Sequence, residues 1–356
     1  MRHGLAVLGV LFIPLLLGSC APAPSDRSTG GGVAGATPAS SPLPPAPAAP
    51  RSPLKLAYTA TTANQALFWV GVEAGLFAQE GLDVELVRID SSARALPAML
   101  AGEVPISLLA TGAIASAVAQ GADVVLLATS ANKLVFQLLA APHIADAEAL
   151  RGQPVGVSGR GSAGDFATRY ALKRLGLDPD QDVVIRVVPG GDAGLANALL
   201  SGSFVAGALG PPSDYRLEQH GFRSLVRLAD LNVPYTGTGP ATTRTYLAVH
   251  RDTVRRFMRG FLASIQRAKS DPAYTLAVMR QYTGQDDLAA LEWGYRQYIV
   301  GAVDPAPYPS EAGLQTVIDS VGEEVPEVRR VAPAALIDTS VLQELEAEGF
   351  IARLYQ

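Results

Sequence analysis

The chain has 356 residues, of which 48% are apolar and 17% are charged, and its formal net charge is −5. A chain of this length and apolar content can form two domains with cores of their own. The acidic balance and the lack of a basic stripe in the sequence argue against nucleic acid as a partner.

The first 20 residues have the pattern of a bacterial lipoprotein export signal. Met1-Arg2-His3 is a short basic start, residues 5–17 are apolar, and Leu17-Gly18-Ser19-Cys20 follows at once. The apolar run is shorter than the roughly 20 residues that a membrane-spanning helix needs, so it predicts export. Residues 1–19 are predicted to be a signal peptide and Cys20 to carry lipid. The alternative is an incidental cysteine after the signal.

Residues 20–53 are rich in Pro, Ala, Gly and Ser and contain almost nothing that could form a core. This composition is typical of a disordered tether. A lipid, a tether and a globular body together predict an extracytoplasmic protein held at the membrane.

From residue 54 onward, short apolar runs alternate with helical stretches, which predicts an α/β fold with mainly parallel sheets. Phe68 and Trp69, early in the first predicted helix, belong either to the core or to a ligand cleft. After about residue 250 the pattern is helical almost to the end. The predicted strands are 54–58, 84–89, 106–109, 124–128, 134–140, 155–158, 183–188, 205–209 and 245–249.

The two halves of this α/β region repeat the same order of elements. Helical residues ending at Gly102 precede the strand 106–109, and helical residues ending at Gly202 precede the strand 205–209. The alternative is that these weak matches reflect only the ordinary succession of a helix, a terminal glycine and a strand. A duplicated lobe is the preferred interpretation. It predicts a cleft between two lobes, at the carboxyl ends of the strands.

Gly159-Arg160-Gly161-Ser162-Ala163-Gly164 is a G-x-G-x-x-G pattern between a predicted strand and a predicted helix. A dinucleotide site also needs an acidic residue at the tip of the next strand. That strand ends in Pro189-Gly190-Gly191, and Asp192 comes too late. The sequence therefore predicts neither a dinucleotide nor any other cofactor.

The same turn is suited to binding a ligand oxygen. The backbone N–H groups at a helix start have no partner within the helix, and the helix dipole favours an anion there. Ser158 and Ser162 add hydroxyl groups, and Arg160 is a candidate for clamping an anion. The alternatives are that Ser162 only caps the helix and that Arg160 points into water.

Four stretches of the chain carry a resemblance to a known family. They are Val72–Val84 (VEAGLFAQEGLDV), Leu150–Val157 (LRGQPVGV), Leu199–Gly207 (LLSGSFVAG), and residues 253–268 followed by Asp271-Pro272-Ala273-Tyr274. Together they resemble the periplasmic substrate-binding proteins of ABC importers, in the group that includes alkanesulfonate, taurine, nitrate and thiamine-precursor binders. The resemblance covers about residues 54–350. Near Gly207 the chain lacks the acidic residue that this group usually has there.

The resemblance implies the type II periplasmic-binding-protein fold, with two similar α/β lobes and a hinge of two crossings. The first lobe would comprise residues 54–140 plus 245–350, and the second would comprise residues 141–244. The implied function is capture of a small polar or anionic solute by lobe closure, and delivery to an ABC permease and its ATPase. The protein is expected to be a monomer, with neither catalytic residues nor a metal.

By position in this fold, the expected ligand loops follow strands in both lobes. Their small polar residues suit hydrogen bonding in a dehydrated cleft, although each threonine has an ordinary capping role as its alternative. The candidate ligand-binding residues are Thr59, Thr61, Thr62, Thr111, Gly112, Ser158, Arg160, Gly161, Ser162, Gly191, Asp192 and Pro211.

Two other classes of function remain open at this stage. Relatives of this fold include enzymes of cofactor-precursor synthesis, which need a positioned His, Lys or Cys. His143, His220 and His250 fall away from the expected cleft, and Cys20 is assigned to lipid. A sensory lipoprotein that keeps the fold without transporting its solute is the other alternative.

Overall fold

A computed structural model describes residues 51–356. The predicted signal peptide, Cys20 and the tether up to residue 50 lie outside the described residues. The first strand begins at Ser52, so the predicted tether limit at residue 53 is wrong by its last two residues. Within the described part of the chain, no helix is long and apolar enough to cross a membrane.

The elements alternate between strand and helix up to residue 242 and are helical thereafter. The strands are β1 (Ser52–Tyr58), β2 (Leu82–Arg88), β3 (Ile106–Ala110), β4 (Val125–Leu126), β5 (Gln137–Ala140), β6 (Pro154–Val157), β7 (Val184–Val187), β8 (Ala206–Leu209), β9 (Arg223–Arg227) and β10 (Thr238–Thr242). The helices are α1 (Ala66–Glu73), α2 (Leu76–Gln79), α3 (Ser92–Leu100), α4 (Thr111–Ala119), α5 (Ala163–Arg174), α6 (Gly191–Leu200), α7 (Ser213–Gln219), α8 (Arg244–Val249), α9 (Arg251–Ser270), α10 (Pro272–Thr283), α11 (Leu288–Gly294), α12 (Glu311–Glu324), α13 (Ser340–Ala347) and α14 (Phe350–Leu354). A π-helical segment, Tyr295–Val300, follows α11 directly. Short 3-10 turns lie at Ala63–Gln65, Glu148–Leu150, Leu228–Leu231, Pro326–Arg330 and Pro333–Leu336.

The strands form two five-stranded sheets of matching design. Their orders are β2-β1-β3-β10-β4 and β7-β6-β8-β5-β9. In the first sheet β10 runs antiparallel to β3 and β4, and in the second β5 runs antiparallel to β8 and β9. The remaining pairs are parallel. The predicted α/β class and the duplicated architecture are confirmed.

The chain crosses between the two sheets twice. Residues 127–136 lead from β4 to β5, and residues 228–237 lead from β9 to β10. The predicted lobe limits at residues 140 and 245 therefore put β5 and β10 on the wrong side of each crossing. Sheet membership assigns β5 to the second lobe and β10 to the first.

The predicted strand at 245–249 is wrong, because this segment is the helix α8. The Thr243 hydroxyl caps the helix by accepting a hydrogen bond from the Tyr246 N–H at 3.0 Å. The strand of this region is β10, whose sequence TGPAT has the glycine and proline that argue against a strand. Its pairing with β3 overrides that local preference.

Phe68 and Trp69 are core residues with no exposed surface, which decides between the two interpretations of this pair. The Phe68 ring meets the rings of Phe257 and Phe261 edge-on, with centroids 5.9 and 5.8 Å apart. The Trp69 ring stacks on Tyr282 at 5.0 Å. These contacts fix the C-terminal helices α9 and α10 to the first lobe, so Phe68 and Trp69 do not line the cleft.

Candidate functional site

Two adjoining spaces lie between the sheets. The deep cavity encloses about 170 Å³, and the mouth, which opens outward from it, has about 760 Å³. Thr62 and Asp192 line both spaces. The deep cavity is lined by Thr62, Asn64, Ala110, Gly112, Ala131, Lys133, Leu134, Val135, Phe136, Gly161, Ser162, Ala163, Asp192, Gly210, Pro211, Tyr235, Gly237, Thr238 and Tyr298.

Both lobes, both crossings and the C-terminal region contribute to this lining. The loops after β1 and β3 provide Thr62 and Gly112, and the loop after β6 provides Ser162. Lys133 lies in one crossing, while Tyr298 lies in the π-helical segment. The carboxyl ends of parallel strands thus meet at the cavity, as the sequence predicts for a doubly lobed α/β protein.

The loop after β1 uses most of its polar groups to hold its own shape. The Thr59 hydroxyl donates to the Leu108 carbonyl at 3.1 Å. The Thr62 hydroxyl donates to Asn64 Oδ1 at 2.6 Å, and Asn64 Nδ2 donates to Thr238 Oγ1 at 3.2 Å. This chain of hydrogen bonds forms one wall of the deep cavity. Thr59 and Thr61 line the mouth rather than the cavity itself.

The glycine-serine turn before α5 carries its own anion. The Asp165 carboxylate, 2% exposed, accepts a hydrogen bond from the Gly161 N–H at 2.9 Å. It also forms an ion pair with Arg169 at 3.0 Å. Ser162 accepts the Asp165 N–H at 3.2 Å, so it is the N-cap of the helix. Gly161 and Ser162 do line the cavity, but the Asp165 carboxylate already neutralises much of the positive potential expected at the start of the helix.

The structure does not bring Arg160 into the cleft. Its side chain is 67% exposed, and its guanidinium lies 3.4 Å from the Glu324 carboxylate. Together with Glu323 and Asp180 it borders a shallow surface depression outside the cavity. The expected anion clamp is therefore absent from this arrangement. Sequence position placed Arg160 on the right loop but could not fix the direction of a long side chain.

Asp192 is half-buried in the first turn of α6, where the cavity meets the mouth. Burial raises the pKa of its carboxyl, and the Ser158 hydroxyl opposes this by favouring the charged form. Among the described residues Asp192 has no ion-pair partner. Ser158 itself does not line either space, whereas Gly191 borders the mouth and Pro211 borders the cavity.

A second buried carboxylate, Asp214, connects the second lobe to the C-terminal region. It accepts hydrogen bonds from Trp293 Nε1 at 3.1 Å and from Gln137 Nε2 at 3.1 Å. Burial raises the pKa of Asp214 to about 6, and these donors partly oppose that rise. Tyr298 lies on the same side, and its own pKa is raised by burial first and then by the charges of Asp192 and Asp214. The cavity therefore has an electronegative end.

The two lobes touch on more than one side of the cavity. A Cβ added at Gly112 would lie 3.1 Å from Val321 and 3.4 Å from the Gly161 carbonyl oxygen of the opposite lobe. Lys173 of the second lobe pairs with Glu323 of α12 at 3.2 Å. Together with the hydrogen bond between Trp293 and Asp214, these contacts join the two lobes around the cavity.

Close packing keeps Thr111 away from the cavity and leaves no room for a side chain at Gly207. Thr111 is fully buried, and its N–H donates to the Gly237 carbonyl at 2.9 Å, so it does not reach the cavity although its neighbour Gly112 does. At Gly207 an added Cβ would lie 2.8 Å from the Gly156 carbonyl oxygen. The acidic residue expected there from the resemblance therefore has no room in this chain.

Sequence reasoning missed the aromatic lining and the residues of the crossings. Phe136 and Tyr235 lie in the crossings, and Tyr298 comes from a helical region far along the chain. Asn64 follows Thr62 by two positions, so its place in the same loop was a usable signal. Nothing local marks Tyr298, since its position depends on how the C-terminal helices pack.

The fold and the shared cavity define a class: this is the two-lobed α/β fold of the periplasmic binding proteins. The chain belongs to the family described as NMT1/THI5 like, whose model matches residues 62–275. None of the curated proteins matches the chain in sequence.

Several solved structures share the fold at low sequence identity. The aliphatic sulphonate binding protein SsuA of Escherichia coli is 18% identical, with a TM-score of 0.66 over 81% of this chain and 92% of its own. The nitrate-binding protein NrtA of Synechocystis PCC 6803 is 12% identical, with a TM-score of 0.64 over 86% and 91% of the two chains. The ligand-binding component of an ABC-type import system of Staphylococcus aureus is 13% identical, with a TM-score of 0.67 over 83% and 99%.

Proposed function

We propose that this protein is the extracytoplasmic solute receptor of an ABC importer, which captures a small polar solute by closing its lobes and presents it to a permease. The observation that carries the proposal is the deep cavity, because both lobes and both crossings supply its walls. A solute held there would contact both lobes at once and stabilise the closed form. The named structures, which include import components, support the same role.

Closure would turn about the two crossings, residues 127–136 and 228–237. Opening must break the contacts that join the lobes, chiefly the bond from Trp293 to Asp214 and the pair of Lys173 with Glu323. The two solvent-exposed ion pairs with α12, Lys173 with Glu323 and Arg160 with Glu324, contribute little stability each. The solute would therefore supply much of the free energy that holds the lobes together.

We also propose that Cys20 carries a lipid and that residues 20–50 tether the body to the membrane. The basic start, the short apolar run and Leu17-Gly18-Ser19-Cys20 support this assignment. Radioactive palmitate should label the expressed wild-type protein and leave Cys20→Ala unlabelled. Equal labelling of both would contradict the lipid assignment.

The solute-binding role is tested by mass spectrometry of small molecules released from the purified protein on denaturation. A solute in stoichiometric amount should be released, and adding it back to the emptied protein should reduce the radius of gyration in small-angle scattering. A true ligand at about 100 times its Kd should also stabilise the protein by roughly 2.7 kcal/mol. Failure of all three measurements would contradict a receptor function.

A further inference from the structure

The deep cavity contains a carboxylate whose charge no side chain of the described residues balances. Asp192 lines the cavity and the mouth. Asp90, also at the mouth, pairs with Arg88 at 2.9 Å, whereas Asp192 has only the Ser158 hydroxyl beside it. Removing a carboxylate from water without a compensating partner is costly. A positively charged group in the cavity would supply that partner.

The aromatic rings of the cavity point to the same ligand chemistry. Phe136, Tyr235 and Tyr298 all line it. The Tyr298 hydroxyl makes no hydrogen bond to any of residues 51–356, and the pKa of Tyr298 is raised by burial first and then by the charge of Asp192. A phenol oxygen accepts hydrogen bonds from an ammonium group, and ring faces attract cations.

None of the cationic side chains around the cavity and its mouth forms an ion pair with Asp192 in the described part of the chain. Arg160 pairs with Glu324 outside the cavity. The start of α5 is occupied by the buried Asp165 carboxylate. Lys133 lines the cavity, but its side chain is exposed to solvent, and it forms no ion pair with Asp192. Arg216 lines the mouth, where its guanidinium donates a hydrogen bond to Asn197 Oδ1 at 3.2 Å rather than to Asp192. Asp192 is therefore without an ion-pair partner among residues 51–356.

We infer that the solute held in the deep cavity carries a positively charged nitrogen, bound between the Asp192 carboxylate and the Tyr298 hydroxyl. The inference rests on the proposed solute-binding function and adds the chemical class of the ligand. The volume of about 170 Å³ limits the solute to a small molecule. A small organic amine or ammonium compound fits both the charge and the size.

The test compares pairs of probes that differ only in an ammonium group against a hydroxyl group. Ethanolamine with ethylene glycol, benzylamine with benzyl alcohol and tyramine with tyrosol cover a range of sizes. Isothermal titration calorimetry is done on the full chain. The amine of at least one pair should bind more than about tenfold tighter than its alcohol. Asp192→Asn should weaken the amine by about thirtyfold or more and leave the alcohol unchanged.

Two further variants separate ligand binding from general effects of charge. Tyr298→Phe keeps the ring and removes the hydroxyl, so it should weaken the amine less than Asp192→Asn does. Asp230→Asn is the matched control, since Asp230 is exposed and lines neither space. It should bind the amine like the wild type. If Asp192 only stabilised the N-terminus of α6 through the helix dipole, Asp192→Asn would change the stability of the protein and leave its preference for the amine intact. That result would overturn the inference.

Failure of the inference differs from failure of the proposed function. A solute recovered from the protein, or a probe that binds and compacts it, without any preference for an amine would overturn the charge assignment and leave the receptor function standing. If no probe binds and no solute is recovered, both proposals are wrong.

Discussion

The starts of α5 and α6 form an instructive pair in the second lobe. Both helices follow a parallel strand of the same sheet, and both have an aspartate in the first turn. Asp165 is surrounded by protein partners, the Gly161 N–H and the Arg169 guanidinium. Asp192 faces the cavity, and burial raises its pKa. The same residue type at nearly the same place therefore stabilises the fold in one helix and remains available to a ligand in the other.

The largest effect is expected for Asp165→Ala, which tests whether this aspartate stabilises the fold. This change leaves the Gly161 N–H without its acceptor and removes one of the two carboxylates that neutralise the largely buried Arg169. Breaking a buried pair in this way should lower the free energy of unfolding by about 3 kcal/mol. Urea denaturation measures it.

The matched control is Asp180→Ala, which removes the other partner of Arg169. Asp180 is 72% exposed, so its loss should cost at most about 1 kcal/mol. Equal losses in the two variants would contradict the structural role given to Asp165.

Asp214, in the first turn of α7, combines features of both aspartates. It has hydrogen-bond partners in the protein, as Asp165 does, and burial raises its pKa, as it does for Asp192. Its pKa of about 6 exceeds the ordinary value of 3.8, so the folded protein binds this proton more tightly than the unfolded chain does. The contribution of Asp214 to stability is therefore lowest above pH 6 and rises as the pH falls from about 6 to about 3.8. The full change is at most about 3 kcal/mol.

Asp214→Asn should remove this part of the pH dependence of unfolding, as measured by chemical denaturation between pH 4 and pH 8. At pH 7 the variant should be at least as stable as the wild type, because the neutral amide avoids the cost of burying a charge and its oxygen still accepts from Trp293. A wild-type profile that is flat around pH 6, or an unchanged profile in the variant, would argue against the assignment.

How much of this arrangement the sequence predicts depends on how local its cause is. The sequence predicts the strand 106–109 to within one residue and a helix capped by Ser162, because apolar runs and a serine N-cap act over a few positions. The segment 245–249 was wrongly predicted as a strand, because the true strand, β10, exists only through its pairing with β3. Local pattern predicts elements well, and it predicts non-local partners poorly.

The same limit explains the candidate site. The sequence indicated the loops that meet at the cleft, and Thr62, Gly112, Gly161, Ser162 and Asp192 all line the cavity. It left open whether Arg160 clamps a ligand or points into water, and it gave no indication that Tyr298 turns inward. Both directions are set by partners far along the chain, Glu324 for Arg160, 164 positions away, and Gly210 of the second lobe for Tyr298, about 90 positions away.

Asp192→Asn should raise the free energy of unfolding, which is the opposite of the effect expected for Asp165→Ala. Burial penalises the charged Asp192 carboxyl, so its raised pKa means that the charge lowers stability at neutral pH. A neutral amide removes that cost and should raise the free energy of unfolding by up to about 1 kcal/mol at pH 7 in the emptied protein, although it removes a favourable interaction with the helix dipole. Thermal unfolding at pH 7 measures the change. A loss as large as that of Asp165→Ala would show that the two aspartates have the same role.

The smallest effect is expected for Arg160→Ala. The guanidinium is mostly exposed and its pair with Glu324 has a separation of 3.4 Å, so the free energy of unfolding should change by less than about 0.5 kcal/mol. Ligand affinity should also stay within about twofold of the wild type, because Arg160 lies outside the cavity. Calorimetry with the solute recovered from the protein measures this, and Lys173→Ala, which breaks the neighbouring pair with Glu323, is the matched comparison. A loss of affinity of tenfold or more in Arg160→Ala alone would mean that Arg160 swings into the cleft when the solute binds, and the turn before α5 would then be an anion site after all.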